Sequence, residues 1–120
     1  MLFKDIMELL QYMKVIIIGF NNKVYEIVSH IPEGKVVSYG QVASMAGSYR
    51  ASRAVGYAMH RNPYHGALPC HRVVFQNGGL TDGFAFGGKD VQRQLLETEG
   101  ITFTKYGCVD MKKHRWDGKM

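Results

Sequence analysis

Apolar residues recur at helical spacing along the first third of the chain. Five of them predict an amphipathic helix at the start: Leu2, Ile6, Leu9, Leu10 and Met13. The mostly apolar run 15–20 is consistent with a short strand or with the end of that helix. A second helix then ends at Pro32 and Gly34. Its apolar positions are Val24, Ile27, Val28 and Ile31. Residues 1–20 are therefore predicted to be a helical extension.

Two short helices joined by a glycine turn are predicted after a brief extended piece at residues 36–37. Ser38 is a suitable cap for the first helix, from Tyr39 to about residue 46, and Gly47 breaks it. Ser48 is a suitable cap for the second, which runs to about residue 60 and ends before Asn62-Pro63. This arrangement predicts a helix-turn-helix.

The second of these helices has one apolar face and one basic face. The apolar face holds Ala51, Val55, Ala58 and Met59. The basic face holds Arg50, Arg53, Tyr57 and Arg61. Arginines with few acids nearby suit contact with DNA phosphates. A solvated basic face on an ordinary helix pair fits the pattern equally well, so both interpretations stay open.

The last third of the chain predicts one more helix and a packed tail. Asp90 is a suitable cap for a helix with Val91, Leu95 and Leu96 turned inward, and Gly100 suits its C-terminal end. The tail 101–120 is predicted to pack on the domain through Phe103, Tyr106, Val109 and Trp116. We therefore predict a mainly α fold with short strands, in which residues 1–120 form a single winged-helix-like helix-turn-helix domain.

Composition narrows the class of protein without naming a partner. Of 120 residues, 46% are hydrophobic, enough for one modest core, and the net charge of +5 allows an anionic partner without establishing one. Cys70 and Cys108 form no C-x-x-C pair, so neither a metal site nor a disulfide scaffold is expected. Apolar runs fall short of the roughly 20 residues that span a bilayer, and no signal peptide is evident. We expect a soluble cytoplasmic protein, nuclear in a eukaryote.

The clearest candidate chemistry lies in Pro69-Cys70-His71-Arg72-Val73. A thiolate is the nucleophilic form of cysteine, and an adjacent histidine can accept the thiol proton. Glu99 is placed at the end of its helix, where the helix dipole disfavours a carboxylate, so a partner such as His71 would explain its position. For an isolated Cys-His pair, a buried cysteine and a solvated glutamate are the commoner interpretation.

Several motifs resemble one family in order and spacing. The chain is similar to the DNA-binding domain of the alkylguanine-DNA alkyltransferases over residues 21–100, and the pentapeptide centred on His71 is highly specific. The matching motifs are Val37-Ser38-Tyr39-Gly40, Arg53-Ala54-Val55-Gly56, Met59, Asn62-Pro63, Pro69-Cys70-His71-Arg72-Val73-Val74, Leu95-Leu96 and Glu99-Gly100.

This resemblance implies that the protein flips an alkylated guanine out of duplex DNA and moves the alkyl group from O6 to Cys70. His71 would be the water-mediated base, oriented by Glu99, and Asn62 would brace the turn that carries Cys70. Tyr39 would donate a hydrogen bond to the guanine. Each molecule would act once, because the thioether is stable.

The resemblance also assigns the DNA contacts and the pocket. Arg53 would fill the gap left by the flipped base, while Arg50, Tyr57 and Arg61 would contact DNA. Met59 and the backbone around Val73 would line the pocket. In the family the segment 83–88 is a pocket lid, and either Phe84 or Phe86 would be its aromatic residue.

The short length and the tail resemble a sister group, the alkyltransferase-like proteins. These have tryptophan or alanine in place of the acceptor cysteine and flag the lesion for excision repair. A lesion sensor with excision-repair partners is therefore the alternative to a single-turnover alkyltransferase, and a helix-turn-helix module indifferent to damage is a third. In the first two cases we expect a monomer without a cofactor that binds double-stranded DNA containing alkylated guanine.

Overall fold

Helices dominate the computed structural model, which describes residues 2–84 and 86–120. Its elements are α1 (Ile6–Ser29), β1 (Val37–Ser38), α2 (Tyr39–Met45), α3 (Ser52–His60), β2 (Val73–Val74), α4 (Gly88–Thr98) and α5 (Met111–His114). Short 3₁₀ turns lie at His65–Ala67 and Cys70–Arg72. The predicted mainly helical fold with short strands is confirmed.

The first helix is continuous, so the prediction of two separate helices is wrong. α1 runs for 24 residues, and the side chain of Asp5 caps it by accepting from the backbone N–H of Glu8 at 2.9 Å. An interior glycine costs only about 1 kcal/mol relative to alanine, so Gly19 does not interrupt the helix. The buried positions lie in its last two turns: Val24, Tyr25, Ile27 and Val28.

Helices α2 and α3 form the predicted helix-turn-helix. Ser38 caps α2 by accepting from the backbone N–H of Gln41 at 3.1 Å, and Gly47 adopts φ +92° in the turn. The second helix begins at Ser52, later than predicted, because Ser48 belongs to the turn, where its carbonyl accepts from the N–H of Ala51 at 2.9 Å. The buried side chains between the two helices are Val42, Ala43, Val55, Ala58 and Met59.

A parallel pairing of β1 with β2 sets Val37 opposite Val73 and Ser38 opposite Val74. This pairing places the 3₁₀ turn that carries Cys70 beside the start of α2. A second apolar cluster lies on the other side of the strands and contains Val36, Val74, Leu96, Ile101 and Val109.

The C-terminal third differs from the prediction in three places. Helix α4 begins at Gly88, so Asp90 lies in its first turn and is not its cap. Its fully buried face holds Gln92 and Leu96, one turn apart, whereas Leu95 is 39% exposed. The tail packs through Val109 and Trp116, but Tyr106 lies in an outward turn and is 80% exposed.

No helix within residues 2–84 and 86–120 has the length and apolar character needed to cross a membrane.

Candidate active site

The 3₁₀ turn at residues 70–72 holds Cys70 in a buried position next to Asn62. The backbone N–H of Cys70 donates to the carbonyl of Leu68 at 2.7 Å, and the cysteine is only 6% exposed. The amide of Asn62 donates to the Cys70 sulfur at 3.2 Å and accepts from the N–H of Tyr64 at 2.8 Å. Asn62 therefore connects the thiol to the segment that follows α3.

Burial raises the pKa of the Cys70 thiol to about 11, and the hydrogen bonds from Asn62 and the backbone offset this only in part. At neutral pH the free protein therefore holds a thiol, and the nucleophilic thiolate requires a proton acceptor.

His71, which follows Cys70, is held by the predicted partner Glu99. The histidine Nε2 and a Glu99 carboxylate oxygen are 2.5 Å apart. No direct hydrogen bond joins His71 to the Cys70 sulfur in the part of the chain that the structure describes. The carboxylate thus holds His71 in one orientation, and any proton transfer from Cys70 to His71 has to pass through an intermediary.

Glu99 also forms an ion pair with Arg72, a contact that sequence reasoning missed. The Arg72 guanidinium donates from Nε at 2.9 Å and from Nη2 at 3.0 Å to the two carboxylate oxygens, and from Nη1 to the carbonyl of Ile31 at 2.7 Å. The N–H of Gly34 donates to the same carboxylate at 3.2 Å. Burial acts to raise the pKa of Glu99, but the hydrogen bonds from Arg72, His71 and Gly34 outweigh it and lower the pKa. The carboxylate is therefore ionised at neutral pH.

Gln92 is a second residue that sequence reasoning missed. Its side chain is fully buried, and its amide donates to the carbonyls of His71 at 3.1 Å and Val73 at 3.0 Å. Helix α4 thus fixes the backbone on both sides of Arg72. The available signal in the sequence was that Gln92, a polar residue, lies one turn before Leu96 on the inward face of its helix.

A cavity of about 510 Å³ opens at Cys70. The predicted residues that line it are Tyr39, Arg53, Tyr57, Met59, Cys70, Phe84 and Phe86. It is also lined by Gly83 of the predicted lid segment and by five residues not predicted there: Ser52, Gly56, His60, Phe75 and Thr81. Val73, around which the backbone was predicted to line the pocket, is not among these residues, and its side chain is fully buried in β2.

Both candidate lid residues contribute to the wall of this cavity. Phe84 is 9% exposed and Phe86 is 37% exposed, and their ring centroids are 5.6 Å apart at an interplanar angle of 63°. Ala85, which was part of the predicted lid segment, lies outside the described residues. Phe84 is therefore the inner aromatic residue and Phe86 the outer one.

Tyr39, at the start of α2, presents a hydroxyl that stays protonated. Burial, with a smaller contribution from Cys70, raises the pKa of Tyr39 to about 12. Its ring packs against Phe75 with a centroid distance of 5.6 Å. Tyr39 can therefore donate a hydrogen bond into the cavity at neutral pH.

The basic residues predicted for DNA contact are exposed but do not all lie on α3. Arg53 and Tyr57 are on the exposed side of α3 and line the cavity mouth. Arg50 precedes the helix and donates to the hydroxyl of Tyr49 at 3.1 Å, and Arg61 follows the last helical residue. The single basic face predicted for one helix is thus spread over the turn, α3 and its C-terminal end.

Comparison with known proteins connects this site to DNA repair. Residues 19–101 match a family model described as the DNA-binding domain of 6-O-methylguanine DNA methyltransferase. A DNA base-flipping protein of Escherichia coli is 42% identical over 101 residues, which cover 82% of this chain and 75% of that protein. A methylated-DNA–protein-cysteine methyltransferase of Methanosarcina acetivorans is 44% identical over 81 residues, or 68% of this chain and 51% of that protein.

A solved structure extends the likeness to the fold. The crystal structure of S. pombe Atl1 in complex with damaged DNA containing O6-carboxymethylguanine matches with a TM-score of 0.70 and 32% identity, over 82% of this chain and 94% of that one. The chain thus spans most of the length of the base-flipping and Atl1 relatives and about half the length of the methyltransferase.

Proposed function

This chain belongs to the O6-alkylguanine-DNA alkyltransferase family, and we propose from that membership that it transfers an alkyl group from a flipped guanine to Cys70. The observation that carries the proposal is the position of Cys70: its thiol lies at a cavity of about 510 Å³, with Asn62 on its sulfur. His71, oriented by Glu99, follows directly in the chain.

In the proposed reaction His71 takes the thiol proton through a water molecule. The Cys70 sulfur then attacks the alkyl carbon, forming a carbon–sulfur bond as the carbon–O6 bond breaks. The electron pair of the broken bond passes to the guanine, where a hydrogen bond from the Tyr39 hydroxyl stabilises the charge and a proton returned from His71 through solvent neutralises it. The product is a thioether, so one molecule repairs one base.

DNA binding in this proposal rests on exposed cations around the cavity mouth. Arg53 lies at that mouth and would fill the gap left by the flipped base, which offsets part of the few kcal/mol that unstacking costs. Arg50 and Arg61 flank α3 and would contact phosphates. The proposed partner is double-stranded DNA that contains O6-alkylguanine.

A lesion sensor is the second candidate. The structure of S. pombe Atl1 in complex with damaged DNA matches with a TM-score of 0.70, and the Escherichia coli DNA base-flipping protein is 42% identical to this chain. In this alternative the same cavity binds the alkylated base without transfer, and excision-repair proteins recognise the complex.

An assay of guanine restoration in the DNA distinguishes the two candidate functions. A duplex carries O6-methylguanine inside a restriction site that is cleaved only when guanine is restored. Transfer predicts that wild-type protein and Cys108→Ala restore cleavage in proportion to the protein added, while Cys70→Ala binds the duplex and restores none. Tight binding by wild-type protein without any restored cleavage would leave the sensor as the function.

A further inference from the structure

Tyr25 is a buried titratable side chain near Cys70 that takes no part in the proposed reaction. It lies in the last turns of α1 and is 8% exposed. Burial raises the pKa of Tyr25 above its ordinary value, with smaller contributions from the nearby Cys70 and Tyr64, and Arg61 offsets this only in part. The hydroxyl is therefore protonated at neutral pH and can donate a hydrogen bond. A buried hydroxyl normally has a partner, and that partner indicates what the residue does.

The partner of the Tyr25 hydroxyl is a carbonyl near the C-terminal end of α3. The hydroxyl donates to the carbonyl oxygen of Ala58 at 2.9 Å. If α3 continued, the N–H of Asn62 would donate to that carbonyl, but it donates to the carbonyl of Met59 at 3.3 Å instead. The last carbonyls of a helix need donors from outside the helical pattern. Tyr25 supplies such a donor from α1.

This end of α3 leads into the residue that contacts the thiol. The side-chain amide of Asn62 donates to the Cys70 sulfur at 3.2 Å, and its oxygen accepts from the N–H of Tyr64 at 2.8 Å. The ring of Tyr64 packs edge-on against the ring of Tyr25, with centroids 5.6 Å apart at an interplanar angle of 79°. Tyr25 therefore contacts the chain on both sides of Asn62, through Ala58 before it and Tyr64 after it.

We propose that Tyr25 is a positioning residue that holds the amide of Asn62 on the Cys70 sulfur. The inference rests on the proposed function, in which Cys70 is the nucleophile, but it concerns the thiol of the free protein. The hydrogen bond from Asn62 lowers the pKa of Cys70 and so opposes the larger effect of burial. Displacement of the turn that carries Asn62 weakens this bond, and the thiol then becomes harder to ionise.

Tyr25→Phe separates hydrogen bonding from packing. It keeps an aromatic ring against Tyr64 and removes the donor to Ala58. A buried carbonyl that loses its partner is disfavoured, so the end of α3 is expected to move toward another donor. Because Asn62 lies two residues after the last residue of α3, its amide is expected to move with that end.

The pH profile of Cys70 alkylation by iodoacetamide tests this role. In a Cys108→Ala background Cys70 is the remaining thiol, and the midpoint of rate against pH reports its pKa, which is about 11 in the wild type. Tyr25→Phe and Asn62→Ala are each expected to raise this midpoint by about 0.5–1 on the pH scale, which corresponds to one weakened hydrogen bond. Circular dichroism at each pH verifies that every variant is folded.

Two further variants show whether Tyr25 acts through Asn62. In Tyr25→Phe/Asn62→Ala the amide to be positioned is gone, so the midpoint should match that of Asn62→Ala alone. Tyr64→Leu removes the ring contact and keeps the Tyr25 hydroxyl, and it should also raise the midpoint. Tyr64 is 53% exposed, so this variant retains the core even if Tyr25→Phe is too unstable to measure.

Thr102→Val is the matched control, because it also removes a hydroxyl from a buried polar group. The Thr102 hydroxyl contacts Nε2 of the buried His114 at 2.8 Å, next to Ile101 of the second apolar cluster. Its midpoint should equal that of the wild type.

Three results would each overturn the proposal: an unchanged midpoint in Tyr25→Phe and Tyr64→Leu, an equal rise in Thr102→Val, or additive rises in the double variant. Iodoacetamide requires neither DNA nor a flipped base, so these results do not depend on whether methyl transfer occurs.

Discussion

Replacing Glu99 with glutamine removes the negative charge that faces His71 and Arg72. In the wild type this carboxylate accepts from His71, from two nitrogens of Arg72 and from the N–H of Gly34, and its side chain is 8% exposed. Breaking a buried ion pair by removing one partner typically costs about 3–5 kcal/mol. Glutamine keeps one acceptor oxygen, so we expect Glu99→Gln to lower the free energy of unfolding by about 2–4 kcal/mol.

The matched control lies two residues away on α4. Glu97 pairs with Arg93 at 3.0 Å, but its side chain is 53% exposed, so Glu97→Gln should cost at most about 0.5 kcal/mol. Urea denaturation of wild type and both variants at pH 7 measures the difference. Equal stability of the two variants would refute the view that this carboxylate organises the site.

The pH dependence of the stability of Glu99→Gln supplies an independent check. The folded-state pKa of Glu99 is lowered, so its stabilising effect is fully present above the ordinary glutamate pKa of about 4.5. That effect is lost as the pH falls through the lowered folded-state value. The wild-type stability curve should therefore decline in this acid range more steeply than the curve of Glu99→Gln. Parallel curves would contradict the assigned cause of the shift.

Three further predictions concern the thiol and the DNA contacts. Asn62→Ala removes the hydrogen-bond donor to the Cys70 sulfur, so it should slow iodoacetamide alkylation of Cys70 at a given pH and lower the free energy of unfolding by about 1–2 kcal/mol. Unchanged reactivity would show that Asn62 does not affect the thiol. Because folding raises the pKa of Cys70 from about 9 to about 11, the wild-type free energy of unfolding should fall as the pH rises between these values. Cys70→Ala should remove that part of the fall, and identical slopes of stability against pH in the two proteins would contradict this. Arg53→Ala should reduce the preference for alkylated over unmodified duplex more than Arg50→Ala does, and equal losses in a binding titration would show that the assigned role is wrong.

Local signals were enough to predict the elements that depend on nearby residues. Ser38 caps α2, and Gly47 adopts a positive φ in the turn that follows, so residues within a few positions determine both the helix and the turn. The continuity of α1 was harder to predict, because a helix tolerates an interior glycine such as Gly19 only when the turns on either side of it are stable enough. The start of α3 was missed because Ser48 could serve a turn or a helix, and packing decides between them.

The site was predictable where a motif or an unfavourably placed charge pointed to a partner, and not where tertiary contacts alone bring two residues together. The pairing of His71 with Glu99 followed from a recognisable motif and an unfavourably placed carboxylate. The contacts of Arg72 with Glu99 and Ile31, and of Gln92 with the active-site backbone, join residues 19 to 41 positions apart. An arginine beside a histidine, or a glutamine on a helix, does not reveal such a partner until the fold brings it close.

Intact-mass measurement of the protein after incubation with O6-methylguanine duplex tests the proposed transfer most directly. The account predicts that each molecule gains the mass of one methyl group, that peptide mapping places it on Cys70 and not on Cys108, and that the gain stops at one group per molecule. Tight binding to the methylated duplex with an unchanged protein mass after long incubation would contradict it.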